Sequence, residues 1–152
     1  EHLRTALPDV VAIDTVERPE DRLRYLVVEY EGGLRVPSWM VSDGTLRLLA
    51  LTILAYLPQM EGVYLIEEPE NGIHPQAVET VYQSLSSVYD AQVLLATHSP
   101  VVLNLAEPEQ ILCFKKTPSG ATDIVLGSDH PLLRDWKRET ALGTLFASGV
   151  LG

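Results

Sequence analysis

The segment Val63-Tyr64-Leu65-Ile66-Glu67-Glu68-Pro69-Glu70-Asn71-Gly72-Ile73-His74-Pro75 limits the possible folds more than any other part of the chain. Four apolar residues running into two adjacent carboxylates predict a buried strand that delivers acids to its carboxyl end. In open α/β sheets that end is where ligands bind. Burying ionised carboxylates is costly without a partner, so Glu67 and Glu68 call for one. A Mg²⁺ ion with an activated water fits, because hard oxygen ligands suit Mg²⁺. A second apolar strand, Val93-Leu94-Leu95-Ala96, ends in Thr97-His98-Ser99-Pro100. If the two strands are parallel neighbours, Glu67, Glu68 and His98 cluster at one sheet edge.

Between them, Val78, Val81, Leu85 and Val88 recur at helical spacing after Pro75, which predicts a right-handed β-α-β crossover. Upstream, Ser42-Asp43-Gly44-Thr45 opens a strongly apolar helix, with Leu46, Leu49, Ala50, Ile53, Leu54 and Leu57 on one stripe and Pro58 as its stop. Such a helix is expected to be packed on most faces. Ser42 is a good N-cap, and free amides at a helix start also favour an anion; capping and phosphate contact both remain open from the residues alone. Val10 to Val16 reads as a strand, and Leu23 to Tyr30 with Leu34 to Val36 as a hairpin around Glu31-Gly32-Gly33. Pro100 starts a short helix through Leu105. Ile111 to Lys116 and Asp123 to Leu126 read as a last hairpin, before a partly helical tail packed through Leu133, Trp136 and Phe146.

At 152 residues the chain is one domain by length, residues 1–152, able to bury about two-thirds of its unfolded surface. A net charge of −10 argues against a broad DNA-binding face on these residues, since phosphate contacts need clustered Lys and Arg. Cys113 is the single cysteine, set in the apolar run Ile111 to Phe114, which suits a reducing cytoplasm and a packing role. No apolar run reaches the ~20 residues of a membrane span, and no signal peptide is visible.

These motifs resemble the ATPase heads of the ABC superfamily, in the RecF-like and SMC-like branch that includes the overcoming-lysogenisation-defect ATPases. The likeness is strongest over residues 40–105. Val63 to Glu67 resembles the Walker B strand, with Glu67 standing where many relatives have Asp. Glu68 falls on the catalytic glutamate, Asn71-Gly72-Ile73-His74 on the D-loop, and His98 on the switch histidine. Ser42 to Thr45 resembles the signature motif, with Asp43 in place of a glycine. The implied fold is α/β, a largely parallel sheet with flanking helices and β-hairpins at its edges, forming the C-terminal lobe of a P-loop NTPase head. No Gly-x-x-x-x-Gly-Lys-Ser/Thr occurs in the sequence. The chain therefore looks like the C-terminal part of a head whose P-loop portion lies elsewhere, as a truncated piece or one part of a split enzyme.

The resemblance implies ATP and Mg²⁺ as cofactors. It makes Glu68 the group that orients or deprotonates the attacking water, Glu67 the holder of a Mg²⁺-bound water, and His98 a sensor or stabiliser of the γ-phosphate. Ser42, Gly44, Asn71 and His74 become nucleotide contacts, although the run Gly72 to Pro75 also makes sense as a turn into a helix. Ser42 and Gly44 are expected to face outward, toward nucleotide bound by a second head in a homodimer. Gly44 suits that role by letting a phosphate approach the backbone. Glu70 reads as a solvated or capping acid and Arg47 as an ion-pair partner. DNA repair, chromosome organisation or phage defence are the outputs implied, with DNA reached through other segments, in a cytoplasmic protein without membrane contact. Two alternatives stay open: a metal-dependent nuclease built from Glu67, Glu68, Glu70, His74 and His98, and a catalytically silent assembly module.

Overall fold

The structure, a computed structural model, describes residues 2–58, 61–134, 136 and 140–149. The chain divides into two compact units, residues 1–96 and 97–152.

The first unit begins with a short helix, α1 (His2–Ala6), which Pro8 ends. β1 (Val10–Glu17), β2 (Arg24–Tyr30) and β3 (Arg35–Pro37) form an antiparallel meander in that order. The β2–β3 turn is the expected one: Gly32 and Gly33 take φ of 83° and 82°, which side chains with a Cβ avoid. α2 (Asp43–Thr52) follows, and its Leu49 joins Val10, Val28 and Val41 in a buried cluster that ties helix to sheet. Leu48 is 2% exposed, a burial that stabilises by about 1.5–3 kcal/mol. The α-helix ends at Thr52, whose Oγ1 donates to the Leu48 carbonyl, and one 3-10 turn completes the run. The stripe beyond it is less enclosed than its composition predicts: Ile53, Tyr56 and Leu57 are exposed.

β4 (Gly62–Glu67) and β5 (Ala91–Ala96) pair in parallel, Glu67 opposite Ala96, with α3 (Pro75–Ser86) between them in sequence. α3 packs on α1 and α2 through a face that includes Val78, Val81 and Leu85. Two expectations are corrected here. Among the described residues the only parallel pairing is β4–β5; the remaining strands pair antiparallel in separate small sheets, so the sheet is not largely parallel. Nor is β4 a buried strand. Tyr64 and Ile66 are half-buried, but Val63 and Leu65 on the opposite face are 58% and 78% exposed. An unbroken apolar run needs cover on both faces, and the described residues supply it on one.

The second unit opens with α4 (Pro100–Leu103). A hairpin of β6 (Leu112–Lys116) and β7 (Thr122–Leu126) follows, then α5 (Leu142–Ala147). Leu133 and Leu142 form its small core, with Trp136 and Phe146 packed against them. α4 and α5 approach closely: the Asn104 Oδ1 accepts from the Gly143 amide at 2.7 Å, and a Cβ on Gly143 would lie 2.3 Å from the Pro100 carbonyl. Asp135 and residues 137–139 of the tail lie outside the described residues. Among the described residues no helix is long and apolar enough to cross a membrane.

Candidate functional site

The carboxyl end of β4 turns sharply. The Glu68 amide still donates to the Ala96 carbonyl at 2.7 Å, one step beyond the ladder. Glu68 itself then adopts φ of 43°, in the left-handed region. For a residue with a Cβ this costs on the order of 1–3 kcal/mol, and such strain persists only where its surroundings over-determine it. Arg22 is the other described non-glycine residue with positive φ, and it sits in an exposed turn. At Glu68 the surroundings are specific. The carbonyl oxygen of Glu68 accepts from the Asn71 amide at 3.1 Å and from Arg47 Nη2, on α2, at 2.9 Å. The Asn71 side-chain amide donates to Glu68 Oε2, fixing the carboxylate as well as the main chain. A second turn, Ile73 amide to Glu70 carbonyl, leads into α3, with Pro69 and Ile73 buried beneath it.

Glu67 lies on the face shared by Val63 and Leu65 and is exposed at the strand end. Ser42 caps α2: its Oγ accepts from the Thr45 amide at 3.2 Å and lies 2.9 Å from Thr45 Oγ1, with the residue exposed. Gly44 has a different environment from the one expected. It is half-buried, and a Cβ built on it would fall 2.4 Å from the Gly72 carbonyl oxygen of the same chain. Contact within the chain therefore requires glycine here, whatever else approaches. Arg47 is corrected too: among the described residues its guanidinium donates to a main-chain carbonyl and pairs with no acidic side chain. His74 is the N-cap of α3, its Nδ1 accepting from the Gln76 amide at 3.3 Å.

His98 follows the end of β5 by two residues and belongs to the second unit. The Ser99 amide donates to Thr97 Oγ1 at 2.9 Å, shaping the turn into α4. His98 is exposed, and its ring stacks on Phe146, centroids 6.3 Å apart with planes 29° apart. Sequence reasoning placed Phe146 in the packing of the tail; its role against the histidine had no signal in spacing. Elsewhere, burial pushes the Cys113 thiol up from its ordinary value, which suits an inert packing cysteine.

The residues present fit Mg²⁺ to the extent of one carboxylate. That ion takes one or two carboxylates, with waters and substrate phosphates completing its octahedron. Glu67, exposed at the strand end beside the fixed Glu68 turn, can supply such a carboxylate. Among the described residues no group of three or more His, Cys, Asp and Glu is arranged to hold a metal alone, so the two-metal nuclease reading finds no ligand cluster here.

The fold is α/β and is similar to that of an SMC ATPase. It superposes with a TM-score of 0.62 on a structure described under "Structural biochemistry of ATP-driven dimerization and DNA stimulated activation of SMC ATPases", covering 82% of this chain and 77% of that one at 16% identity. Residues 4–104 match the family described as "AAA domain, putative AbiEii toxin, Type IV TA system", and the chain belongs to that family, an ABC-type, RecF/SMC-like P-loop ATPase region. A relative from Vibrio cholerae serotype O1 biovar El Tor, "Retron Vc95 probable ATPase", is 27% identical over 124 residues. That alignment takes in 73% of this chain and 23% of the relative, so the chain spans about a quarter of that protein's length.

Proposed function

We propose that this chain carries the catalytic-glutamate half of an ATP-hydrolysing head, which pairs with a second head and completes its phosphate cradle with a P-loop portion outside this sequence. The observation that carries the reading is the strained, left-handed Glu68 at the end of a parallel strand, with its carboxylate held by Asn71. A fold has no use for a carboxylate fixed at that cost unless its direction matters. The family and the SMC-type fold support ATP as the ligand.

In this reading Glu67 would hold Mg²⁺ through a bound water, and the ion, when bound, would neutralise phosphate charge. Glu68 accepts a proton from, or orients, the attacking water at its carboxylate. Phosphoryl transfer needs little else from the protein than charge and position. Asn71 contributes by keeping the carboxylate from rotating. His98, stacked on Phe146 within the second unit, keeps the role of γ-phosphate sensor only as the resemblance implies it. Ser42 and the first turn of α2 meet nucleotide held by the second head, and His74 lies at the rim as the cap of α3. The work driven is DNA-related, such as repair or phage defence, with nucleic acid bound through other segments because this chain is acidic.

A second reading, a silent assembly module, draws on the bare face of Val63 and Leu65, which needs a covering partner. The test between them is Glu68→Gln in the full-length protein. The amide keeps the size and loses the base, so ATP binding should persist while turnover falls by about 10²–10⁴-fold. Unchanged turnover refutes the catalytic reading. The 152-residue chain alone should show no turnover above background, and robust hydrolysis by it would refute the division of the site.

A further inference from the structure

We infer that Arg47 is a positioning residue for the Glu68 carboxylate, acting through the Glu68 main chain; the inference rests on the reading of Glu68 as the catalytic glutamate. The left-handed conformation of Glu68 is held at three points. Its amide donates to Ala96, and its carbonyl accepts from the Asn71 amide and from Arg47 Nη2. Two of these belong to the strand pair and the turn themselves. The third comes from α2, twenty-one residues away in sequence, and it is the charged one. Hydrogen bonds from a guanidinium are roughly twice as strong as neutral ones. Rotation of the Glu68 peptide toward an ordinary conformation would swing the carbonyl off this donor.

The base from which Arg47 reaches is itself fixed. Gly44, one turn earlier on α2, abuts the Gly72 carbonyl with no room for a Cβ. The first turn of α2 is thus clamped to the far side of the same loop that Arg47 grips at its near side. Asn71, lying between, donates its main-chain amide to the Glu68 carbonyl and its side chain to the Glu68 carboxylate. Main chain and carboxylate are therefore aimed by one connected set of contacts: Arg47, Asn71 and the Gly44–Gly72 abutment. Because Ser42 heads the same helix, a displacement of that helix start would release Glu68 from its aim. Arg47 is exposed and outside the apolar clusters, so its removal leaves the core of the fold in place.

The test is steady-state MgATP hydrolysis by the full-length protein carrying Arg47→Ala, Arg47→Lys, Asn71→Ala and the Arg47→Ala/Asn71→Ala pair, with unfolding temperatures recorded for each. Arg47→Ala should lower kcat by about 10–100-fold, the scale of a small misplacement of a reacting group, with KM nearly unchanged. Arg47→Lys, which keeps a cationic donor, should recover part of kcat. In the Asn71→Ala background Arg47→Ala should cost far less than in the wild type, because both act on one carboxylate. Wild-type kcat in Arg47→Ala, a loss confined to KM, or full additivity of the pair would overturn the inference. If Arg47→Ala fails to fold, Arg47→Lys and Arg47→Gln carry the same comparison of kcat with KM. Glu68→Gln, measured alongside, separates the two levels: normal turnover there removes the catalytic reading, whereas its loss with a normal Arg47→Ala removes only the role of Arg47.

Discussion

A Cβ on Gly44 would lie 2.4 Å from the carbonyl oxygen of Gly72, so the start of α2 and the turn after β4 are in backbone contact. No side chain can yield there, because the opposing atom is main chain. Gly44→Ala should therefore destabilise the chain, although alanine is the better helix former. Overpacking costs about 1–3 kcal/mol, and the helix preference returns at most ~1 kcal/mol of that. A net loss near 1–2 kcal/mol should appear as a lower Tm in thermal unfolding. An Ala variant as stable as wild type would show that the two elements can separate without cost.

Glu68 presents the opposite case. Its φ of 43° suits glycine, so Glu68→Gly relieves strain while removing the carboxylate. Most exchanges to glycine in ordered structure destabilise. This variant should unfold no earlier than wild type and, in the full-length protein, hydrolyse no ATP. A marked fall in Tm would mean the left-handed turn carries little strain.

Leu65, 78% exposed on the bare face of β4, should respond differently in the chain and in the complete protein. Leu65→Lys should change the unfolding free energy of the 152-residue chain by less than about 0.5 kcal/mol, as surface exchanges do. In the full-length protein the same exchange should cost about 2 kcal/mol or more, because a covering layer would bury an unpaired charge. Equal small effects in both would leave that face open to solvent.

Ser42, capping α2 on an exposed turn, supplies the test of pairing. Ser42→Arg should lower the activity of the full-length protein with its fold retained, apart from a cap loss of about 1 kcal/mol. Mixed with a P-loop-dead subunit, it should regain part of the ATPase, since one composite site then keeps an intact P-loop and an intact signature turn. Hydrolysis of MgATP in confirmed mixed dimers is the measurement. No recovery counts against a site shared between heads.

The chemistry-bearing order of the chain was legible in its sequence because it is written in local patterns. Apolar runs of strand length ending in Glu67-Glu68 and in Thr97-His98 predicted β4 and β5 and their parallel pairing. The period-3.6 stripes predicted α2 and α3, and Gly32-Gly33 the β2–β3 turn. Ser42 was legible as a cap because capping is a contact within one turn. What only the tertiary structure decided are the contacts between elements distant along the chain. Arg47 read as an ion-pair partner because its spacing says nothing of which carbonyl a crossing helix will meet. Gly44 read as room for a phosphate, and its spacing gave no sign that a Cβ there would also meet the Gly72 carbonyl. The exposure of Val63 and Leu65 could not be read from an apolar run, since such a run states a need for cover and not who supplies it. Local sequence determined which groups reach the end of β4; their aim, set by the left-handed Glu68 and the residues that hold it, came from packing between α2 and the turn, where charge-assisted hydrogen bonds and hard backbone contacts outweigh the conformational preference of a single residue.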